Sequence, residues 1–431
     1  MSNNKIKEHY DQEVLAASGG HYEDYRWFKN PLQAAGFEMT KNAVAKYLLN
    51  NERLLAANIL EIGPGPGTWT ELLLKRFPST QFTLVDISRQ MLKEAEARLS
   101  GRGQFTFVNG DFTAYQPAVK FDLIFSSRAI EYPEDKKTFI ANIANLLVPG
   151  GTGFIITKTP HYKREWLKGR RVPSRHRRQL SPRAFKRLLT DSGLTFLGLY
   201  PVTASVPFFN SPRLNLWTAK VVSYWPLNFI TINLTESYAI KFAKQEIVEV
   251  FGLPGSGKTT YAKELEKQGY RRIKVRTKWE LVKYNLIFFY HYPSKFFVGL
   301  FYLVRYLGRP RWWYYKLMNL FFQHNAKLMK AKGEARAVID QGHFQNLLSL
   351  FDWPVSVAEL KNYVKHLPRP DELVILDLLP AERAKRLKER SLLPRDELSF
   401  TNQTWLLAAE ANFTTFKTIV GELKVPYHFD S

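Results

Sequence analysis

Residues 57–70, ANILEIGPGPGTWT, decide how the first half of this 431-residue chain folds. ANILEI is a short apolar run that fits a buried parallel strand, and TWTELLLKRF (68–77) beyond the glycines has helical spacing. Strand, glycine loop and helix open a doubly wound α/β domain, whose ligand lies at the carboxyl end of the first strand. A dinucleotide fingerprint requires G-x-G-x-x-G. Here the spacing is G-x-G-x-G, at Gly63, Gly65 and Gly67, with an acid, Glu61, two residues before the first glycine. A second acid, Asp86, ends the next apolar run, QFTLVD (81–86), where it can accept hydrogen bonds from ribose hydroxyls.

A second glycine loop lies past the middle of the chain, in VEVFGLPGSGKTTYAKEL (248–265). GLPGSGKT matches G-x-x-x-x-G-K-[ST] at Gly252, Gly257, Lys258 and Thr259. Such a loop wraps nucleotide phosphates in backbone N–H groups, here over Gly252, Gly255, Ser256, Gly257, Lys258, Thr259 and Thr260. Lys258 pairs with the terminal phosphates and the Thr259 hydroxyl ligates Mg²⁺, so ATP and Mg²⁺ are the expected ligands. Downstream, ARAVIDQGHF (335–344) is an apolar strand ending in Asp340, suited to holding Mg²⁺ through water or to taking a proton from an acceptor. Each loop, at the end of its own strand, starts its own parallel sheet, which predicts two nucleotide sites in two α/β domains, 1–244 and 245–431.

From residue 40 to about 200 the chain resembles the class I S-adenosylmethionine-dependent methyltransferases. The likeness runs in order through the first glycine loop, VNGDF (108–112), FDLIFSSRAIEY (121–132), LLVPGG (146–151) and the strand GFIITK (153–158). The resemblance implies that the glycines let the backbone approach the methionine part of the cofactor and that Asp86 holds the ribose. It implies that Asp111 faces the adenine amino group with Phe112 against the ring, and that Ser126 and Ser127 line the pocket floor. Catalysis of methyl transfer comes mainly from alignment of the acceptor. His161, just after the fifth strand in KTPHYKREW, is the candidate base for a hydroxyl acceptor; an anionic phosphate oxygen needs none.

From Glu246 onward the chain resembles the small P-loop kinases of the thymidylate/adenylate kinase group. DELVILDLLPAERAKRLKERSLLPRDE (371–397) reads as a strand and then an arginine-dense helix. In that group such a helix leads into a lid, which makes Arg386, Arg390 and Arg395 candidates for contact with the transferring phosphoryl group. A solvated charged helix face is the plainer reading of the same arginines. The segment between the second glycine loop and Asp340, where those kinases bind their acceptor, bears no such likeness. The expected fold is therefore α/β with two doubly wound domains, a Rossmann-like methyltransferase followed by a P-loop NTPase-type kinase.

Charge is concentrated. Residues 1–150 hold 17 basic and 17 acidic residues, whereas 158–187 hold 12 basic and one acidic and 267–332 hold 15 basic and one acidic. Two such blocks point to polyanionic partners. The block KREWLKGRRVPSRHRRQ (163–179) reads as a basic loop near the methyl acceptor. Residues 283–322 contain 16 aromatic residues among lysines and arginines. Three readings stay open for them: a helical kinase subdomain with the aromatics as core, helices on an anionic membrane surface, or a groove stacking single-stranded nucleic acid. The absence of cysteine rules out disulfides, thiolate zinc sites and cysteine nucleophiles, and suits a reducing cytoplasm. The N-terminus lacks the apolar core of a signal peptide, and no run of 18 apolar residues predicts a spanning helix.

These readings converge on a methyltransferase–kinase using S-adenosylmethionine and Mg²⁺-ATP on one acceptor. The expected acceptor is the end of a glycan or lipid-linked surface polysaccharide, either capped as a methyl phosphate or methylated on a hydroxyl beside a separate phosphorylation, by a cytoplasmic enzyme peripheral at the inner face of the membrane. Bifunctional chain-terminating methyltransferase–kinases of bacterial O-antigen pathways are an analogy in activity, although their kinase half resembles protein kinases. The rival is a nucleic-acid partner, with the same chemistry on RNA ends or nucleotides.

Overall fold

The computed structural model describes residues 8, 10–12, 22–160, 179–205, 211–224, 235–308, 310–389, 399–423 and 425–430. The chain forms two compact units, Met1–Gln245 and Glu246–Ser431.

In the first unit the apolar runs form β1 (Asn58–Ile62), β2 (Gln81–Asp86), β3 (Gln104–Asn109), β4 (Phe121–Ser127), β5 (Leu147–Lys158), β6 (Thr195–Ala204) and β7 (Thr235–Ala243). They make one seven-stranded sheet in the order β3-β2-β1-β4-β5-β7-β6, parallel except for β7, which runs antiparallel to both neighbours. The fold is Rossmann-like, with a mixed sheet.

Both faces of the sheet are covered, so alternate side chains of one strand enter different cores. Ile59, Leu123 and Phe125 pack on one side, while Leu60, Ile62 and Ile124 pack on the other. Helices α1 (Pro31–Val44), α2 (Thr68–Arg76), α3 (Arg89–Leu99), α4 (Lys136–Leu146), α5 (Pro182–Asp191) and α6 (Pro212–Val222) supply the coverage. Their starts are written in the sequence. Asn30, Ser181 and Ser211 each cap a helix whose first residue is proline, accepting from the N–H of Gln33, Ala184 and Leu214.

The second unit has a five-stranded, all-parallel sheet of β8 (Glu246–Gly252), β9 (Arg271–Arg272), β10 (Arg336–Ile339), β11 (Glu372–Leu376) and β12 (Tyr427–Asp430). Its order is β12-β11-β8-β10-β9. From the middle strand β8 the chain runs first to one edge and later, after β10, crosses to the other, which is the topology that opens a ligand crevice at strand carboxyl ends.

Its helices are α7 (Lys258–Lys267), α8 (Lys278–His291), α9 (Pro293–Arg305), α10 (Gln323–Ala331), α11 (Val357–His366), α12 (Pro380–Glu389) and α13 (Ser399–Ile419). Thr277 and Glu280 form a capping box at the start of α8, with Glu280 N donating to Thr277 Oγ1 at 3.1 Å. Among the described residues no helix is long and apolar enough to cross a membrane.

Candidate functional site

The first glycine loop is bent by three left-handed glycines at alternate positions, Gly63, Gly65 and Gly67, at φ of +70°, +57° and +82°. A side chain on Gly63 would place its Cβ 2.8 Å from the Cβ of Ala129, so the loop can pass over the turn after β4 only as glycine. Gly67 caps α2, and a Cβ there would lie 3.2 Å from Leu99 Cδ1.

The loop walls a cavity of about 190 Å³ at the carboxyl ends of β1, β2 and β4. Gly63, Gly65, Asp86, Asp111 and Phe112 all reach it. Asp86 accepts from Gly65 N at 3.1 Å and from Ser88 N at 2.9 Å, which ties the loop to the end of β2. Burial pushes its carboxyl up to about 6; the two N–H donors oppose this and Asp11 adds to it. Asp111 caps a short turn by accepting from Thr113 N at 2.9 Å, and the Phe112 ring packs 4.9 Å from Phe139.

Three expected contacts fall elsewhere. Ser126 is fully buried and donates to Ile62 O at 2.9 Å; the next residue, Ser127, lines the cavity, because neighbours on a strand face opposite sides. Glu61 lies beneath the loop rather than in the cavity wall, accepting from Thr70 Oγ1 at 2.7 Å. Burial raises its carboxyl to about 8, and its second oxygen has no partner. Gly67 shapes the loop and α2 without lining the cavity. His161 and most of the basic block 163–179 lie outside the described residues.

The structure adds residues that no motif announced. Tyr10, Tyr22, Arg26 and Trp27, from the N-terminal stretch, line the cavity with Arg128 and Tyr132. Arg128 is the single described non-glycine residue with positive φ, at +75°, a conformation costing about 1 kcal/mol or more and concentrated at functional sites. Its guanidinium makes a two-point bond to Glu131, at 2.7 and 3.2 Å. Burial alone would raise the Glu131 carboxyl, but Arg128 and the Lys158 N–H hold it below the usual carboxylate range. Repulsion from Arg128, then burial, brings Lys158 down to about 8, with Arg26 contributing. Arg26 makes no ion pair among the described residues and lies over the Trp27 ring at 4.8 Å. Arg26 and Arg128 thus line the cavity together with Asp86 and Asp111, and of the two cations only Arg128 is paired among the described residues, with Glu131.

Whether the cavity suits S-adenosylmethionine can be judged from its polar groups. Asp86 offers an acceptor to a diol, and the buried Thr68 hydroxyl on the wall has no partner. Loop, acid and aromatic ring stand in the order a nucleoside needs, so the residues present fit the cofactor.

In the second unit, the loop 252–257 joins β8 to α7, with left-handed glycines at Gly255 and Gly257. Lys258 is buried and donates to Gly252 O at 2.7 Å and Leu253 O at 2.9 Å, closing the loop on itself. Ser256 Oγ is buried without a partner, while Thr259 and Thr260 are exposed at the start of α7. A buried amine and an orphaned hydroxyl in a glycine loop that opens a helix are groups that phosphates of a nucleotide could take up.

The arginine-dense helix α12 lies directly on this loop. A Cβ on Gly255 would be 3.0 Å from Arg383 Cγ, and one on Gly257 would be 3.1 Å from Arg386 NH1. Arg383, not singled out by its sequence, is buried against Glu410, while Arg386 pairs with Glu382. Arg390 and Arg395 lie outside the described residues.

Asp340 differs from expectation. Its carboxylate, expected to hold Mg²⁺ through water or to take a proton, accepts from Arg272 Nε at 3.0 Å and lies 3.8 Å from Lys327 Nζ, so either role requires it to exchange these two cations. The nearby buried acid is Glu249, which accepts from Phe344 N at 2.7 Å and is raised to about 8 by burial. Gly342 leaves room for it, since a Cβ there would fall 2.5 Å from the Glu249 carboxyl carbon.

Comparison with known proteins bears on the first unit. Residues 59–151 match the family described as "Methyltransferase domain". The malonyl-[acyl-carrier protein] O-methyltransferase 2 of Ilyobacter polytropus is 36% identical over 94 residues, 22% of this chain and 36% of that protein. The trans-aconitate 2-methyltransferase of Paracidovorax citrulli is 34% identical over 125 residues, 28% of this chain and 47% of that protein. The chain thus spans between about a third and a half of the length of these relatives. Among solved structures, the magnesium protoporphyrin IX methyltransferase of Synechocystis PCC 6803 with bound SAH aligns at a TM-score of 0.40 and 15% identity, over 56% of this chain and 98% of that one. The first unit carries a methyltransferase domain.

Proposed function

We propose that the chain is a bifunctional transferase: the first unit methylates an acceptor from S-adenosylmethionine, and the second phosphorylates the same acceptor from Mg²⁺-ATP. The observation that carries this reading is the pairing of two glycine loops with two separate sheets, each loop at the carboxyl end of an interior strand. In the first unit Asp86 would hold the cofactor ribose, and Asp111 and Phe112 would hold its base. Bound S-adenosylmethionine supplies an already activated methyl group. The protein's own task is then to seat the acceptor oxygen and exclude water.

Arg26, which lines the cavity and makes no ion pair among the described residues, supports an acceptor oxygen that is already anionic, as on a phosphate. That fits a sequence in which the second unit adds phosphate and the first methylates it. In the second unit Lys258 would leave its own loop carbonyls for the terminal phosphates, the Thr259 hydroxyl would ligate Mg²⁺, and Arg386 would face the transferring group. The strand order and the likeness of residues 245–269, 335–344 and 371–397 to small nucleotide kinases support this half. The acceptor we assign is the terminus of a lipid-linked surface polysaccharide, leaving a methyl phosphate cap.

The test incubates the protein with Mg²⁺-ATP, S-adenosylmethionine and either lipid-linked glycans or short RNAs, and reads mass gains. Phosphate and methyl gained together on glycan, with methyl absent when ATP is withheld and both absent in Lys258→Ala, is the expected result. Methyl gain that ignores ATP would remove the ordered scheme, and gain on RNA alone would remove the glycan.

A further inference from the structure

The aromatic segment of the second unit divides into a buried part and an exposed part. Phe288, Tyr302, Tyr306 and Phe321 belong to its hydrophobic cores. On α8 the residues left outside are Trp279, Val282, Leu286, Phe289 and Tyr290, with Trp279, Leu286 and Tyr290 exposed by 76%, 65% and 81%. Their spacing of i, i+3, i+7, i+10 and i+11 places all five on one helix face. On α9, Phe297, Phe301 and Val304 repeat the pattern at i, i+4 and i+7, each more than half exposed. The two stripes meet, because the Phe289 ring lies 5.8 Å from that of Phe297.

Eight large apolar side chains side by side on consecutive helices form the kind of contiguous patch that marks an interaction surface. Its surroundings are cationic. Lys278, Lys283 and Arg305 are exposed on the same two helices, Arg305 also facing Glu359 at 3.3 Å. The single acid between residues 267 and 332, Glu280, is held by Lys330 at 2.7 Å.

We propose that the α8–α9 face docks on a bilayer containing acidic phospholipids. The apolar stripe enters the boundary between headgroups and acyl chains, and the flanking lysines and arginine meet lipid phosphates. Charge complementarity selects this occupant, given exposed Lys278 and Lys283 beside the stripe and the one acid of α8, Glu280, held by Lys330. A single-stranded nucleic acid would use the rings and the cations but would gain nothing from Val282, Leu286 and Val304, which lie on the same stripe. The helices are 14 and 13 residues long, so they lie along the surface and do not span it. Docking of this kind would bring the second unit to a lipid-linked acceptor; that link rests on the proposed function, whereas the docking itself does not.

The test is co-sedimentation of the full chain with vesicles of phosphatidylcholine alone or mixed equally with phosphatidylglycerol, without ATP, S-adenosylmethionine or acceptor. The protein should sediment with the anionic vesicles and come off with salt. Leu286→Glu/Phe297→Glu/Phe301→Glu should partition about 100-fold less, since each change removes a buried side chain and adds repulsion. If that variant melts early, Lys278→Glu/Lys283→Glu serves instead, with about a tenfold loss or more on anionic vesicles and an unchanged melting midpoint. Brominated acyl chains should quench tryptophan fluorescence, less so in Trp279→Tyr. No sedimentation of the wild type, or equal partition of both multiple variants, overturns the proposal. A loss of oligonucleotide binding in those variants with vesicle binding intact would also overturn it and give the face to nucleic acid. Because no transferase substrate is present, failure here leaves the transferase reading standing, and failure of that reading leaves this one standing.

Discussion

Replacing Asp86 by asparagine tests the first site through two readouts of opposite sign. The Asp86 carboxyl is raised from 3.8 to about 6, chiefly by burial. A carboxyl raised by folding stabilises the protein fully below its unfolded pKa, and that contribution is lost as pH rises through the folded value. Between pH 3.8 and about 6 the loss amounts to about 3 kcal/mol, at about 1.4 kcal/mol per tenfold step. Ligand affinity runs the other way. A ribose diol donates to the ionised carboxylate, so affinity for S-adenosylhomocysteine should level off above about pH 6 and fall about tenfold per pH unit below it.

Asparagine cannot ionise, which should flatten both trends. Its amide also turns an NH₂ towards either Gly65 N or Ser88 N, each of which now donates to a carboxylate oxygen. A charged hydrogen bond contributes about 1.5–3 kcal/mol, so Asp86→Asn should weaken binding roughly 10- to 100-fold at neutral pH. Isothermal titration calorimetry with S-adenosylhomocysteine from about pH 5 to 8, with melting midpoints in the same buffers, reads both trends. Wild-type affinity flat across that range, or a variant binding within about twofold at neutral pH, would refute the assignment of Asp86 to the ribose.

Three further outcomes are expected. Arg26→Ala, which breaks no ion pair among the described residues, should raise KM for an anionic acceptor about tenfold while leaving S-adenosylhomocysteine affinity and the melting midpoint unchanged; an unchanged KM in steady-state kinetics removes Arg26 from the acceptor site. Gly257→Ala puts a Cβ at φ +91° and 3.1 Å from Arg386, which should cost about 1–2 kcal/mol in denaturant titration and abolish ATP binding measured with a fluorescent analogue; wild-type ATP affinity would separate the loop from the nucleotide. Glu249→Gln keeps an acceptor for Phe344 N but cannot ionise. Because folding raises the Glu249 carboxyl from 4.5 to about 8, wild-type stability should fall on the order of 5 kcal/mol as pH climbs through that window, and the variant should stay flat; parallel pH–melting curves would show the carboxyl is not raised.

Much of the fold was legible before any coordinates. Apolar runs bounded by glycine loops and capped helices announce β1, β2, β8, α2 and α7, since backbone conformation and sheet burial restrict which residues can stand there. Asp86 was legible for the same reason, ending a recognisable strand, whereas Asp111 and Phe112 rested on the resemblance to class I methyltransferases. Ser126 and Ser127 could not be separated, because one residue of register turns a side chain from cavity to core. The 16 aromatics of residues 283–322 were equally unreadable as a group. Whether a ring is core or surface depends on which helix face the sheet covers.

Local sequence alone determined two glycine loops on two strands, and hence two α/β units, because strand, turn and helix are decided within about twenty residues. The tertiary structure alone decided which charges meet. It brought Tyr10, Tyr22 and Arg26 to a cavity formed by strands far along the chain, locked Asp340 between Arg272 and Lys327, and set Arg383 and Arg386 against the second loop. Those encounters depend on crossovers that place distant segments at the same strand ends, and no spacing in the sequence encodes the distance they close.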